Sequence, residues 1–283
     1  MRDNSKRFGA GAEAPPQTHE TSEADERPTF NFAVPTELVD LPSKGRFYPE
    51  GHPLHMADTI EIKYMTAKDE DILTSPSLLK KGIAIDRFLK NIIVSNQVNV
   101  QSLLTGDKNA ILVSSRINGF GPDYTTKVTC PNCTTVSENT FDLDAVEAYY
   151  GDDHEGHDIV PTEHGTFTIR LPKTKFEVEV RLLTNRDENE LVSKMQSKKK
   201  VAYETNLTDQ LRKIIVSING VEDAQTIHRA IEVLPAYDSR YLRAAYLKVV
   251  PGLDMTQHFA CSSCGFEKEV DIPLTVDFFW SRQ

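Results

Sequence analysis

All four cysteines of this 283-residue chain fall in two short pairs, Cys130-Pro131-Asn132-Cys133 and Cys261-Ser262-Ser263-Cys264. The two thiols of a C-x-x-C turn can converge on one ion while free backbone amides point at the sulfurs. The flanking text repeats: a strand-like run, the cysteine turn, polar residues and a second strand-like run, over 126–143 and again over 257–272. Two hairpins, each tipped by a cysteine turn, are the halves of a zinc ribbon. Four thiolates at about 2.3 Å satisfy a tetrahedral d10 ion and leave no open coordination position. The sequence therefore predicts Cys130, Cys133, Cys261 and Cys264 as ligands of a structural Zn2+, with iron as the competing metal.

Other readings of the thiols fit less well. A disulfide within either C-x-x-C closes a very small loop with poor geometry, and cross-pair disulfides need an oxidising compartment. A thioredoxin-type redox pair needs a helix after the first cysteine to lower its pKa, whereas strand-like text follows both pairs here. Unrelated buried thiols would not segregate into two pairs of identical spacing. The departure from an ordinary ribbon is the separation of 128 positions between Cys133 and Cys261. The metal would clamp two distant stretches of chain, and its binding free energy of about 10–16 kcal/mol would be folding free energy.

The elements that must bring the pairs together can be read in outline. Residues 1–28 are rich in Glu, Ala, Pro, Thr and Ser and poor in large apolar side chains, which predicts a disordered tail. The alternating stretch 30–35 reads as an extended arm that adds to a sheet or a neighbour, and the Pro- and Gly-rich segment 41–54 as a loop pinned by Phe47 and Tyr48. A strand is expected over 59–65 by its period of two. Thr66 then caps a helix with Asp69, Glu70 and Asp71 in its first turns. That helix breaks near Ser75-Pro76 and resumes over 83–94 with apolar positions 85, 88, 89, 92 and 93 on one face. A second helix is expected over 105–118, ending before Gly119. A hairpin is expected from 166–171 and 175–183, and helices over 205–218, 223–234 and 239–249.

The formal charge of −10, from 32 basic and 42 acidic residues, argues against a general nucleic-acid binder, which shows a basic stripe. Lys198-Lys199-Lys200 reads as a complement to a helix C-terminus rather than a phosphate site. No apolar run reaches the roughly 20 residues that span a bilayer. The N-terminus lacks a secretory h-region, which points to a reducing, intracellular site of synthesis. His154, His157 and His164 in an acidic loop could be drawn as a second metal site, but no regular element fixes their spacing. No P-loop, dinucleotide-binding, H-E-x-x-H or G-x-S-x-G motif is present, Gly119-Phe120-Gly121 is only a turn, and a closed four-thiolate site holds no reactive water. No enzymatic activity is expected.

Two stretches carry a further signal: Leu41-Pro42-Ser43-Lys44-Gly45-Arg46-Phe47-Tyr48-Pro49-Glu50-Gly51-His52-Pro53-Leu54, and Ile60-Glu61-Ile62-Lys63-Tyr64-Met65-Thr66-Ala67-Lys68-Asp69-Glu70-Asp71-Ile72-Leu73-Thr74. With Leu78-Leu79-Lys80-Lys81-Gly82 and the two cysteine turns, this text resembles the baseplate proteins of T4-type contractile-tailed bacteriophages. The likeness covers most of the chain after residue 30 and is sharpest over 41–82. It implies a virion structural or assembly protein in or beside the baseplate hub, made in the host cytoplasm, present in several copies and bound to other tail proteins. The tail of residues 1–28 departs from the family pattern.

The resulting expectation is an α+β fold: a split four-cysteine zinc ribbon of two β-hairpins, near 124–143 and 256–272, combined with helical segments and small antiparallel sheets. Its parts are a tail (1–29), an N-terminal α+β region (30–120) and a ribbon region with an inserted hairpin and helices (121–283). The expected partner contacts are Phe30, Phe32, Phe47, Tyr48, Phe278, Phe279 and Trp280. The alternative is a zinc-ribbon protein acting on nucleic acid, for which Glu138 and Asp142 beside Lys127 give an unfavourable field.

Overall fold

A computed structural model describes residues 33–197, 206–272 and 276–279. Strands β1 (Thr36–Asp40) and β2 (Thr59–Lys63) pair antiparallel around the intervening loop. Helices α1 (Ala67–Thr74) and α2 (Pro76–Lys81) meet at Pro76, which begins α2 because its missing N–H is no loss at a first turn. Helix α3 (Ala84–Ile92) buries Phe88, Leu89 and Ile92, the face expected from its sequence period. Helix α4 (Thr105–Phe120) is the central helix, with buried residues on most of its circumference.

The strand pair β3 (Asp123–Thr129) and β4 (Val136–Asp142) leads into the short β5 (Glu147–Tyr149). Strands β6 (Ile159–Pro161), β7 (Phe167–Arg170) and β8 (Glu177–Val180) form an antiparallel sheet. Phe167, Ile169, Val178 and Val180 point from it into the core. After α5 (Asn185–Ser197) and α6 (Asn206–Ile214), strand β9 (Ile215–Ile218) completes this sheet in the order β6-β7-β8-β9. Helices α7 (Ala224–Val233) and α8 (Ala236–Val249) follow, then β10 (Gly252–Asp254), β11 (Thr256–Ala260) and β12 (Glu267–Asp271). The architecture is α+β with small antiparallel sheets.

Several expectations are corrected. The helix over 205–218 stops at Ile214: Ile215-Val216-Ser217-Ile218 is a β-branched, alternately buried run that pairs with β8. The helix expected to end before Gly119 continues to Phe120, because Gly119 is where the Met65 methyl group packs; a Cβ there would lie 2.3 Å from Met65 Cε. The break comes at Gly121, whose φ of 83° suits glycine. Helix α8 starts three residues early, directly after Pro235. The His-bearing acidic segment contains a strand, β6. Phe30, Phe32, the 198–200 lysines and Trp280 lie outside the described residues.

One continuous core runs from Val39 to Phe279 and draws on both sides of position 120. Arg116 fastens the end of the described chain to the foot of β3. Its guanidinium donates to the carbonyls of Phe278 (3.0 Å), Gly121 (2.9 Å) and Asp123 (3.1 Å).

Candidate metal centre

The two cysteine turns are built alike, atom for atom. Cys130 N–H donates to Thr135 O (2.9 Å) and Cys261 N–H to Phe266 O (2.8 Å). Thr134 N–H returns to Cys130 O and Gly265 N–H to Cys261 O, both at 2.9 Å. The residue after each second cysteine is left-handed, Thr134 at φ 59° and Gly265 at φ 67°. Glycine accepts that backbone freely, whereas a β-branched threonine is strained in it.

The hairpins are brought side by side by β5 and β10, which pair antiparallel as the outgoing continuation of β4 and the approach to β11. That pairing closes the base of the 128-position excursion. A second tie joins the hairpins directly. The Gln257 side chain donates to Asp142 O (2.5 Å) and accepts from Asp142 N–H (3.1 Å), imitating one rung of a β-ladder.

The four sulfurs lie within 4.8 Å of one another. Cys130 Sγ is 3.8 Å from Cys264 Sγ, and Cys133 Sγ is 3.7 Å from Cys261 Sγ. A tetrahedron of sulfurs about 2.3 Å from a central ion has edges of about 3.8 Å. These separations fit such an ion and are far too long for S–S bonds. Cys130 and Cys261 are buried with Phe259 in a small cluster backed by Phe266, Val128 and Val270, the last two of which also pack against the main core. Cys133 is half-buried and Cys264 exposed. Burial pushes the Cys130 thiol up to about 11, while hydrogen bonding with the Thr135 side chain and backbone holds Cys133 down to about 6. Among the described residues no other group of three or more Cys, His, Asp or Glu side chains converges in this way. His157 instead lies against the Tyr241 ring and His154 against Phe167.

The expected partner aromatics are placed differently. Tyr48 is 3% exposed. Its hydroxyl donates to Asp107 Oδ2 (2.8 Å) and accepts from Leu104 N–H (3.0 Å). Phe278 and Phe279, at 3% and 5%, meet Tyr124 and Phe88 edge-on. These three aromatics pack in the chain's own interior. Phe47 is half-buried, 5.4 Å from the Phe167 ring. The hinge of the 41–54 loop is Asp107, in the first turn of α4, which also accepts from Ser43 N–H (2.9 Å) and Ser43 Oγ (2.6 Å). The sequence reading missed Asp107, Thr135 and Gln257. Only Thr135 left a trace, as the counterpart of Phe266 in the second turn.

Neither a curated protein nor a solved structure matches the chain. The family model described as T4 bacteriophage base plate protein matches residues 34–280, a span that takes in the Asp107-anchored loop and both cysteine hairpins. The chain belongs to the T4 bacteriophage base plate protein family.

Proposed function

We propose that the chain is a structural or assembly component of the baseplate hub region, without catalytic activity, and that its four thiolates hold one structural Zn2+. The observation that carries the baseplate reading is the family match over nearly all of the described chain. Family membership supports association with other tail proteins and a place in the virion tail; we assign the synthesis to the host cytoplasm. The zinc reading rests on the sulfur geometry: four thiols lie within 4.8 Å of one another, two of their separations match a tetrahedral edge, and four thiolates around a d10 ion leave no site for water. The two hairpins with their shared ion then form the split ribbon. A clamp of this kind holds the ends of the inserted segment in register.

The residues we assign to partner binding, in several copies per baseplate, are Phe30 and Phe32, the rim of the 41–54 loop, and Trp280. Phe47 is the loop's aromatic that keeps some exposure.

The test is composition and metal together. Quantitative mass spectrometry of purified virions should find the chain at a fixed whole-number ratio to the other baseplate proteins; its absence would remove the permanent structural role and leave the assembly role. Elemental analysis of the purified chain should give one zinc per molecule, lost in Cys261→Ser.

A further inference from the structure

Between α3 and the segment 96–101 lies an open cleft of about 510 Å³. Its charged lining is Asp86, Arg87 and Lys90, faced by the primary amides of Asn96, Gln97 and Asn99. Asp86 is already engaged inside the chain. Its carboxylate accepts from Gln101 Nε2 (2.6 Å), Asn185 Nδ2 (2.7 Å) and Asn189 Nδ2 (3.0 Å), so it braces the wall of the cleft against α5. Arg87 and Lys90 are three positions apart on α3, both exposed, and neither forms an ion pair with a described residue.

In a chain of formal charge −10, a concave site with two uncommitted cations is a local reversal of the field. The side-chain amides of Asn96 and Gln97 each offer a donor and an acceptor, the complement of a main chain in extended conformation, while Asn99 Oδ1 already accepts from Gln101 N–H (3.0 Å). A guanidinium and an ammonium side by side take up carboxylates through charge-assisted hydrogen bonds.

We propose that this cleft docks an extended acidic segment of another tail protein. The identity of that partner as a tail protein rests on the baseplate reading; the peptide chemistry of the cleft does not. A nucleic-acid strand is disfavoured, because among the described residues the lining holds no aromatic ring for base stacking and places the Asp86 carboxylate beside its two cations.

The experiment is fluorescence anisotropy with a fluorescein-labelled octaglutamate peptide and, in parallel, an eight-residue oligothymidylate, on the full-length chain at low salt. Wild type and the charge-matched control Lys63→Ala/Arg170→Ala should bind the peptide saturably. Arg87→Ala/Lys90→Ala should bind it at least about tenfold more weakly, with an unchanged thermal melt because both side chains are exposed. The oligothymidylate should bind wild type more weakly than the peptide does. Absence of saturable peptide binding, equal loss in the control, or undiminished binding by Arg87→Ala/Lys90→Ala would overturn the proposal. Tighter oligothymidylate binding that the same variant abolishes would reassign the cleft to nucleic acid. None of these outcomes bears on whether the chain is in the virion, so this inference and the baseplate reading fail separately.

Discussion

Buried carboxylates in the first turns of helices recur as the joints of this protein. Asp69 in α1 accepts from Thr66 N–H and Thr66 Oγ1 and reaches Asn91. Asp187 in α5 repeats the arrangement with Thr184, then takes both terminal nitrogens of Arg181 at 2.8 Å. Asp238 in α8 reaches sideways to Lys173 N–H, Thr174 N–H and Thr174 Oγ1, pinning the β7–β8 turn. Asp107 does the same for Ser43 and Tyr48. Replacing Asp107 by alanine leaves three buried donors without an acceptor and should lower stability by about 3 kcal/mol in urea titrations. Tyr48→Phe, which strands only the Leu104 N–H and one carboxylate lone pair, should cost about 1 kcal/mol. Equal losses in the two variants would mean that the tyrosine ring, rather than the carboxylate, holds the loop.

Two of these carboxylates, Asp187 and Asp238, give the protein an acid response, whereas burial raises the Asp107 carboxyl and works in the opposite sense. Burial raises the carboxyl pKa of Asp187, but hydrogen bonds from Arg181 and Thr184 outweigh it and hold the group below the usual carboxylate range. Asp238 behaves alike, burial being outweighed by Thr174 and Lys173. A depressed folded-state pKa stabilises above the unfolded value of about 3.9 and is lost as pH falls toward the folded value. Stability should therefore decline below about pH 4. Asp187→Asn/Asp238→Asn should flatten that decline, as measured by urea midpoints across pH 2.5–6.

At the scale of elements, the cysteine hairpins illustrate what a sequence can disclose. Their spacing, tips and flanking alternation are local, and all four cysteines converge as their text implies. What brings them together is not local: the β5–β10 pairing and the Gln257–Asp142 tie join residues more than a hundred positions apart, with no signature in the chain. Gln257→Ala should leave zinc stoichiometry unchanged yet weaken zinc affinity about tenfold in a competition titration with a chromophoric chelator, because the two turns lose their pre-set register. Within the turns, Thr134→Gly should raise stability by up to about 1 kcal/mol, and Gly265→Val should lower it by about 1–2 kcal/mol; thermal melts of the zinc-loaded protein would report both. The run 206–218 shows the opposite limit. Its apolar residues satisfy a helical stripe, yet the last four belong to a sheet, and only the waiting edge of β8 decides between them. Asp107 was unreadable for the same reason, since Ser43 lies 64 positions away.

At the scale of the whole molecule, the cysteine tips of the two hairpins have their own small apolar cluster, linked through Val128 and Val270 to the core that spans Val39 to Phe279 and takes in the hairpin feet at Tyr124, Phe141 and Ile272. On the zinc reading, chelation should raise hydrogen exchange at the hairpin tips, over 128–136 and 259–267, while α3, α4 and the β6–β9 sheet keep their protection. Global loss of protection would mean that the two clusters fold as one unit.

The 128-position gap between Cys133 and Cys261 also has a meaning in time. At a synthesis rate of about 5–20 residues per second, the first cysteine pair emerges about 6–26 s ahead of the second. For that interval the first pair is an open, two-thiol half-site. The segment in between has to fold and return its ends through β5 and β10 before a four-sulfur cage exists. A closed cage thus records that the middle of the chain has folded, and nascent chains stalled anywhere in the insertion carry only the open half.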